Sequence, residues 1–164
     1  MEIISEFRGE HRFLSNFWLV RIIYAGWTFR SVEHAYQCAK IAAWDDCPAF
    51  HAIQQARTPG EAKRLARTIP FEIDPNWDEC RVRVMDYLLA AKFAPDTPLA
   101  DRLLATGDAE LREGNHWGDR FWGVDAHSGE GRNVLGQLLM KQRAWLKAPA
   151  RPWEVCSLME TPPQ

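Results

Sequence analysis

The chain has 164 residues, 46% of them hydrophobic and 26% charged, with a formal net charge of −2. That length suits one domain with a buried core, and the near-neutral charge excludes the basic footprint that generic duplex nucleic-acid binding needs. No apolar run approaches a membrane span, no basic-then-apolar leader opens the chain, and Cys38, Cys47, Cys80 and Cys156 show neither zinc-like nor disulfide-framework spacing. Free thiols in a cytoplasmic protein, with no membrane partner, are the expectation.

Residues 2–7 and 18–24 read as short strands, and Ala25-Gly26 offers a turn into a third strand at 27–30. Between the first two runs a polar loop carries Arg8, Ser15 and Asn16; taken alone, the last two are ordinary turn formers. Ser31 is the expected N-cap of a helix over 32–43, and Glu33 falls in its first turn, where the helix dipole favours a carboxylate. Glu33, Gln37 and Lys40 share one face of that helix. Such a face usually describes solvated surface, which makes helix-start chemistry the plain reading of Glu33. His34 has no partner at metal spacing and reads as a core or surface histidine.

A helix over 48–56 follows, then a capping box at Thr58-Pro-Gly-Glu61 opening a helix to about residue 68. Asn76 begins another helix that runs to about residue 93, with Trp77 at its start and Cys80, Val84, Leu88 and Ala91 as an apolar stripe. A short helix runs from Pro98 to about residue 105, closed by Gly107, and the last helix spans 134–147. The strands group early and do not alternate with helices, so the expected class is α+β: a mainly helical single domain over 1–148 with a small antiparallel sheet from the N-terminal third, then a loosely ordered tail over 149–164.

The stretch from 115 to 143 is the most distinctive. Trp117-Gly118 and Trp122-Gly123 alternate with Asp119 and Asp125, and Gly129-Glu-Gly131-Arg-Asn feeds into the last helix. Asn133 is a suitable N-cap, and the free N–H groups of that helix start, with Arg132 beside them, make an expected anion site. The glycines form no dinucleotide fingerprint, since Val134 stands where a third glycine belongs. Aromatic faces, carboxylates and an anion-ready turn are the equipment for a flat ligand bearing ribose phosphate.

Several words of the sequence, in this order and spacing, resemble the NADAR domain, or YbiA-like, family. They are Phe-Leu-Ser-Asn-Phe (13–17), Ser-Val-Glu-His-x-Tyr-Gln-x-x-Lys (31–40), Trp77, Ala-Lys-Phe (91–93), Leu-x-x-Thr-Gly-Asp-Ala-Glu-Leu-x-Glu (103–113) and the Trp-Gly-Asp…Arg run (117–143). The resemblance covers residues 3–146 and implies an N-glycosidase that uses no metal or other cofactor. The implied substrates are ribosylamino-pyrimidine 5′-phosphates, early riboflavin-pathway intermediates, cleaved to release ribose 5-phosphate. A second implied substrate is ADP-ribosylated guanine.

By motif, Glu33 matches the family's essential acid, and Trp77, Trp122 and Asp125 match its site residues, with Asp119 competing for Asp125's place. On that basis Glu33 takes the role facing C1 of the sugar and Asp125 the partner role, as paired carboxylates do in O-glycosidases. Trp77 and Trp122 sandwich the base, while Arg8, Lys40, Arg132 and Asn133 hold phosphate. Lys40 has a further reading, as the amine of a Schiff base with ring-opened ribose or as the ion-pair partner of Glu33. A non-catalytic module binding ADP-ribose or NAD is the rival from another class. Two carboxylates beside an anionic ligand argue against it.

Overall fold

The computed structural model describes residues 2–148; the tail expected over 149–164, with Trp153 and Cys156, lies outside the described residues. The chain opens with β1 (Ile3–Ile4), a 3-10 helix (Gly9–Leu14) and an antiparallel hairpin of β2 (Ile22–Tyr24) and β3 (Trp27–Phe29) turning at Ala25-Gly26. Then come α1 (Val32–Ala39), α2 (Pro48–Gln54), α3 (Pro59–Thr68), α4 (Trp77–Lys92) and α5 (Pro98–Ala105). Three two-residue strands follow, β4 (Glu110–Leu111), β5 (Gly114–Asn115) and β6 (Val124–Asp125), before α6 (Val134–Lys147) closes the described chain. The class is α+β, as expected from the order of the elements. The sheet differs in detail. Among the described strands the hairpin is antiparallel, whereas β1 pairs with β4, and β5 with β6, in parallel.

Local chemistry accounts for the helix starts. Ser31, Thr58 and Thr97 each accept a hydrogen bond from the backbone N–H three residues on, at 3.3, 3.1 and 3.2 Å. The Thr58 box closes one residue early, because the Glu61 carboxylate accepts from the Arg57 N–H at 2.7 Å. Asn76 makes no side-chain cap; the Asp74 carboxylate accepts from its N–H instead, at 2.8 Å. α1 stops at Ala39, four residues short of the expected end, and Ile41 then bridges to Ile73.

α1 is the hub. All eight of its residues are buried, and it packs against α2, α3, α4 and the hairpin. A helix enclosed on every side is expected to be apolar all round, yet this one carries Glu33, His34 and Gln37. His34 shows how such a group is tolerated: Nδ1 lies 2.8 Å from the Ser31 hydroxyl and Nε2 lies 3.1 Å from the Ala56 carbonyl. A carbonyl only accepts, so Nε2 carries a proton. Burial accordingly holds its pKa below the usual histidine value. His34 is thus a satisfied core histidine. The Glu33–Gln37–Lys40 face is not the solvated surface its residue types suggest, because α3 and α4 cover it and leave a cavity between.

Candidate active site

That cavity has a volume of about 720 Å³ and gathers side chains from α1, α3, α4, the N-terminal loop and the segment between β4 and β6. Among its walls are three carboxylates, Glu33, Glu113 and Asp119, and six cations, Arg8, Arg12, Lys40, Lys63, Arg67 and Arg81. A chain of net charge −2 therefore holds a locally cationic pocket.

Glu33 is 5% exposed, and one carboxylate oxygen accepts from Gln37 Nε2 at 2.6 Å. Burial pushes its pKa up; the Gln37 hydrogen bond and the positive charges of Lys63, Lys40 and Arg67 pull it back. Its backbone is tied as well, its N–H donating to the Asn16 carbonyl at 3.1 Å. Lys40, at the end of α1, has its ammonium 5.1 Å from the centre of the Tyr36 ring. Among the described residues no carboxylate lies within 4 Å of that ammonium, so the two do not form the contact ion pair considered from the sequence. Burial lowers the Lys40 pKa and the charge of Glu33 opposes that shift.

Trp77 and Trp122 both line the cavity, and Tyr36 sits against each, with ring centroids 5.1 and 5.5 Å apart. Asp119 Oδ1 accepts from the Phe121 and Trp122 N–H groups at 3.1 and 2.9 Å, so this acid shapes the turn that presents Trp122. Asn16 lines the cavity with its amide nitrogen 3.6 Å from the Met85 sulfur. Asn16 Oδ1 and Arg81 Nε are the buried side-chain polar atoms without a partner among the described residues, and both residues belong to this cavity. Buried polar groups are nearly always paired, and two orphans in one cavity mark it as built for a polar ligand.

Three residues expected at the site lie outside the cavity. The Asp125 carboxylate accepts from the N–H groups of His127 and Ser128 and from the Ser128 hydroxyl, at 3.1, 2.7 and 3.0 Å. Those bonds, the Ser128 N–H first, hold its pKa below the usual carboxylate value. It closes a surface turn and does not line the cavity. Arg132 stacks its guanidinium 4.7 Å from the centre of the Phe121 ring, on which Arg81 also stacks at 4.0 Å.

Asn133 is not a side-chain N-cap. Its backbone is left-handed at φ 49°, its amide donates to the Leu111 carbonyl at 2.8 Å and its side-chain oxygen accepts from the Glu113 N–H at 3.1 Å. Nor does the start of α6 offer an anion site at these positions. The N–H groups of Asn133, Val134 and Leu135 donate to the carbonyls of Gly123, Phe121 and Trp122. The expected donors are consumed by the loop that folds back over them.

The cavity also contains residues that the motifs assigned no role: Glu113, Tyr36, Trp117, Lys63, Arg67 and Arg81. Lys63 and Arg67 stand one helical turn apart on α3, a spacing indistinguishable in sequence from a solvated face. Glu113 was visible only as the last residue of the word at 103–113. Burial pushes its pKa up to about 8, with the negative charges of Asp119 and Glu33 adding to the effect and Lys63 opposing it.

The chain belongs to the NADAR domain family, whose model matches residues 5–147. It is 41% identical over 140 residues to a riboflavin biosynthesis protein of Vibrio vulnificus (strain YJ016), covering 85% of this chain and 37% of that protein. It is 35% identical over 134 residues to the N-glycosidase YbiA of Escherichia coli (strain K12), covering 80% of this chain and 79% of YbiA. A chloroplastic riboflavin biosynthesis protein of Zea mays, PYRR, is 35% identical over 71% of this chain and 20% of its own length. The chain thus spans well under half of these two riboflavin proteins and most of YbiA. The NMR structure of E. coli YbiA superposes with a TM-score of 0.75 at 33% identity, covering 88% of this chain and 84% of that one. Among the described residues no helix is long and apolar enough to cross a membrane.

Proposed function

We propose that this chain is an N-glycosidase that hydrolyses the N-glycosidic bond of ribosylamino-pyrimidine 5′-phosphates and releases ribose 5-phosphate. The observation that carries the proposal is the union in one cavity of a buried carboxylate, Glu33, with tryptophan rings and a surplus of cations. The names of the relatives, N-glycosidase and riboflavin biosynthesis protein, support the same reaction and substrate class.

Departure of the base leaves oxocarbenium character at C1 of the ribose. A carboxylate in a water-poor wall stabilises that charge more strongly than it does in water, and it accepts a proton from the attacking water. Glu33 fills this role. Its raised pKa reflects the cost of keeping a charge there, which developing positive charge at C1 relieves. Trp77 and Trp122 provide aromatic faces for the flat base. The phosphate is held by the cavity's cations, with Arg8 and Lys40 among them and Lys63, Arg67 and Arg81 in place of Arg132. Asp119 lines the cavity where Asp125 does not, and it orders the turn that carries Trp122.

The test is product release by wild type and Glu33→Gln, side by side, on a ribosylamino-pyrimidine 5′-phosphate and on ADP-ribosylated guanosine. Wild type is expected to release ribose 5-phosphate from the first, and the variant to lose about 10²–10⁴-fold in rate. Cleavage of only the guanosine substrate would move the assignment to ADP-ribosyl-guanine hydrolysis. A folded Glu33→Gln protein with full turnover would remove Glu33 from the mechanism.

A further inference from the structure

Once Asp125 is outside the cavity, the reaction lacks a proton donor for the leaving nitrogen. Amines and amino-pyrimidines are poor leaving groups as anions, so a proton must reach that nitrogen as the bond breaks. Glu33 is the group assigned to C1, and Gln37 engages it. Asp119 is engaged by two backbone N–H groups. Glu113 is the third carboxyl group of the cavity, and its side chain makes no hydrogen bond or ion pair within 4 Å among the described residues. Its backbone is fixed from two sides: the N–H donates to the Asn133 side chain at 3.1 Å, and the carbonyl accepts from the Val124 N–H at 3.0 Å. A carboxyl group that lines the cavity on a backbone fixed from both sides, with no side-chain partner of its own among the described residues, is placed to act on a ligand.

From this placement we infer that Glu113 is a catalytic residue, the general acid that protonates the departing nitrogen. The inference rests on the N-glycosidase reading above. The C1–N bond breaks with its electron pair moving onto nitrogen, which takes the proton of the Glu113 carboxyl group. Water adds its oxygen to C1 and gives its proton to Glu33. Transfer of that proton back to the Glu113 carboxylate through solvent restores the site, and the sum is one riboside and one water giving ribose and free base.

Burial, and then the negative charges of Asp119 and Glu33, push the Glu113 pKa up to about 8, above neutral pH. Glu33 from α1 and Asp119 from the loop face it as like charges, and Lys63 from α3 is the cation that opposes them. Gln37 and the charges of Lys63, Lys40 and Arg67 pull the Glu33 pKa back down, whereas Lys63 is the cation that does so at Glu113. Tyr36, Lys40, Arg67 and Arg81 border the same cavity.

The experiment compares wild type with Glu113→Gln on two ribosides. One is the ribosylamino-pyrimidine 5′-phosphate. The other is an N-ribosylpyridinium 5′-phosphate, whose pyridine departs neutral and needs no proton. The expected result is a loss of about 10²–10⁴-fold in kcat on the first substrate with KM little changed. On the second substrate the two proteins should differ by less than about tenfold. Wild type is expected to lose kcat as pH rises through about 8, and that alkaline limb should vanish in the variant. Equal losses on both substrates, or an alkaline limb that survives in Glu113→Gln, overturns the role of Glu113 while leaving the N-glycosidase reading intact. A wild type that releases no ribose 5-phosphate from the first substrate overturns both.

Discussion

Lys92 is 2% exposed, and its ammonium donates to the Ser15 carbonyl at 2.7 Å. No carboxylate of the described residues pairs with it, and burial depresses its pKa to about 7. The bond to Ser15 holds the start of a short relay. Ser15 adjoins Asn16, whose side chain lines the cavity and whose carbonyl accepts from the Glu33 N–H. The consequence for stability has a definite sign. Below pH 7 both folded and unfolded chains carry the proton, and the native state bears the full cost of a buried charge. Between about 7 and 10.5 the folded chain has released the proton and the unfolded chain keeps it, so stability rises with pH. Each unit of depression is worth about 1.4 kcal/mol. Lys92→Met is expected to flatten the rise in stability between pH 7 and 10, read as Tm or urea midpoint at each pH. An unchanged slope would show that the lysine does not titrate in that range.

Among the elements, α6 and β4 approach too closely for a side chain to fit between them at Gly136. A Cβ on Gly136 would overlap the Leu111 carbonyl oxygen and both polar atoms of the Asn133 side chain, so only a glycine lets the helix approach the strand this closely. Gly136→Ala is expected to cost about 1–3 kcal/mol by denaturant midpoint. Because Asn133 also holds the Glu113 backbone, the same variant should lose activity beyond its loss of stability. Elements of this kind differ in how readable they are. The caps at Ser31, Thr58 and Thr97 are legible because donor and acceptor lie three residues apart. β4, β5 and β6 are two residues each, and their partners lie many residues away or across a loop. No periodicity exists in two residues, so these strands come into being only through long-range pairing. The buried face of α1 is hidden in the sequence for a related reason: Glu33, Gln37 and Lys40 look like surface until α3 and α4 cover them.

For the whole molecule, the separation of charge is the feature with a measurable consequence. Six cations against three carboxylates in one cavity, in a chain of net charge −2, should attract a sugar phosphate and leave the remaining surface indifferent to it. A ligand that binds only the native state adds about 2.7 kcal/mol at one hundred times its Kd. In a chain of this length that is a rise in Tm of roughly 5–10 °C. Ribose 5-phosphate is expected to produce such a rise with saturation. Ribose, or sodium chloride at equal ionic strength, should not, and Lys63→Ala should weaken the effect. A rise that tracks ionic strength alone would mean that the cavity's charge does not recognise phosphate.

The helices, the caps at Ser31, Thr58 and Thr97, the hairpin turn, the class of the fold and the family were legible in the sequence, because these follow from spacing over a few residues or from motifs kept in order; the end of α1 and the capping of α6 were not. The sequence also singled out Glu33, Trp77 and Trp122 as residues to examine, and all three line the cavity. Which carboxylates share that cavity is settled by packing alone. Asp119 and Asp125 stand six residues apart in one glycine-rich stretch; one faces the pocket, and the other closes a surface turn. Glu113 and the cations of α3 and α4 join the site from other elements. Direction into a shared space is set by how elements pack, and packing joins residues whose separation along the chain carries no record of it.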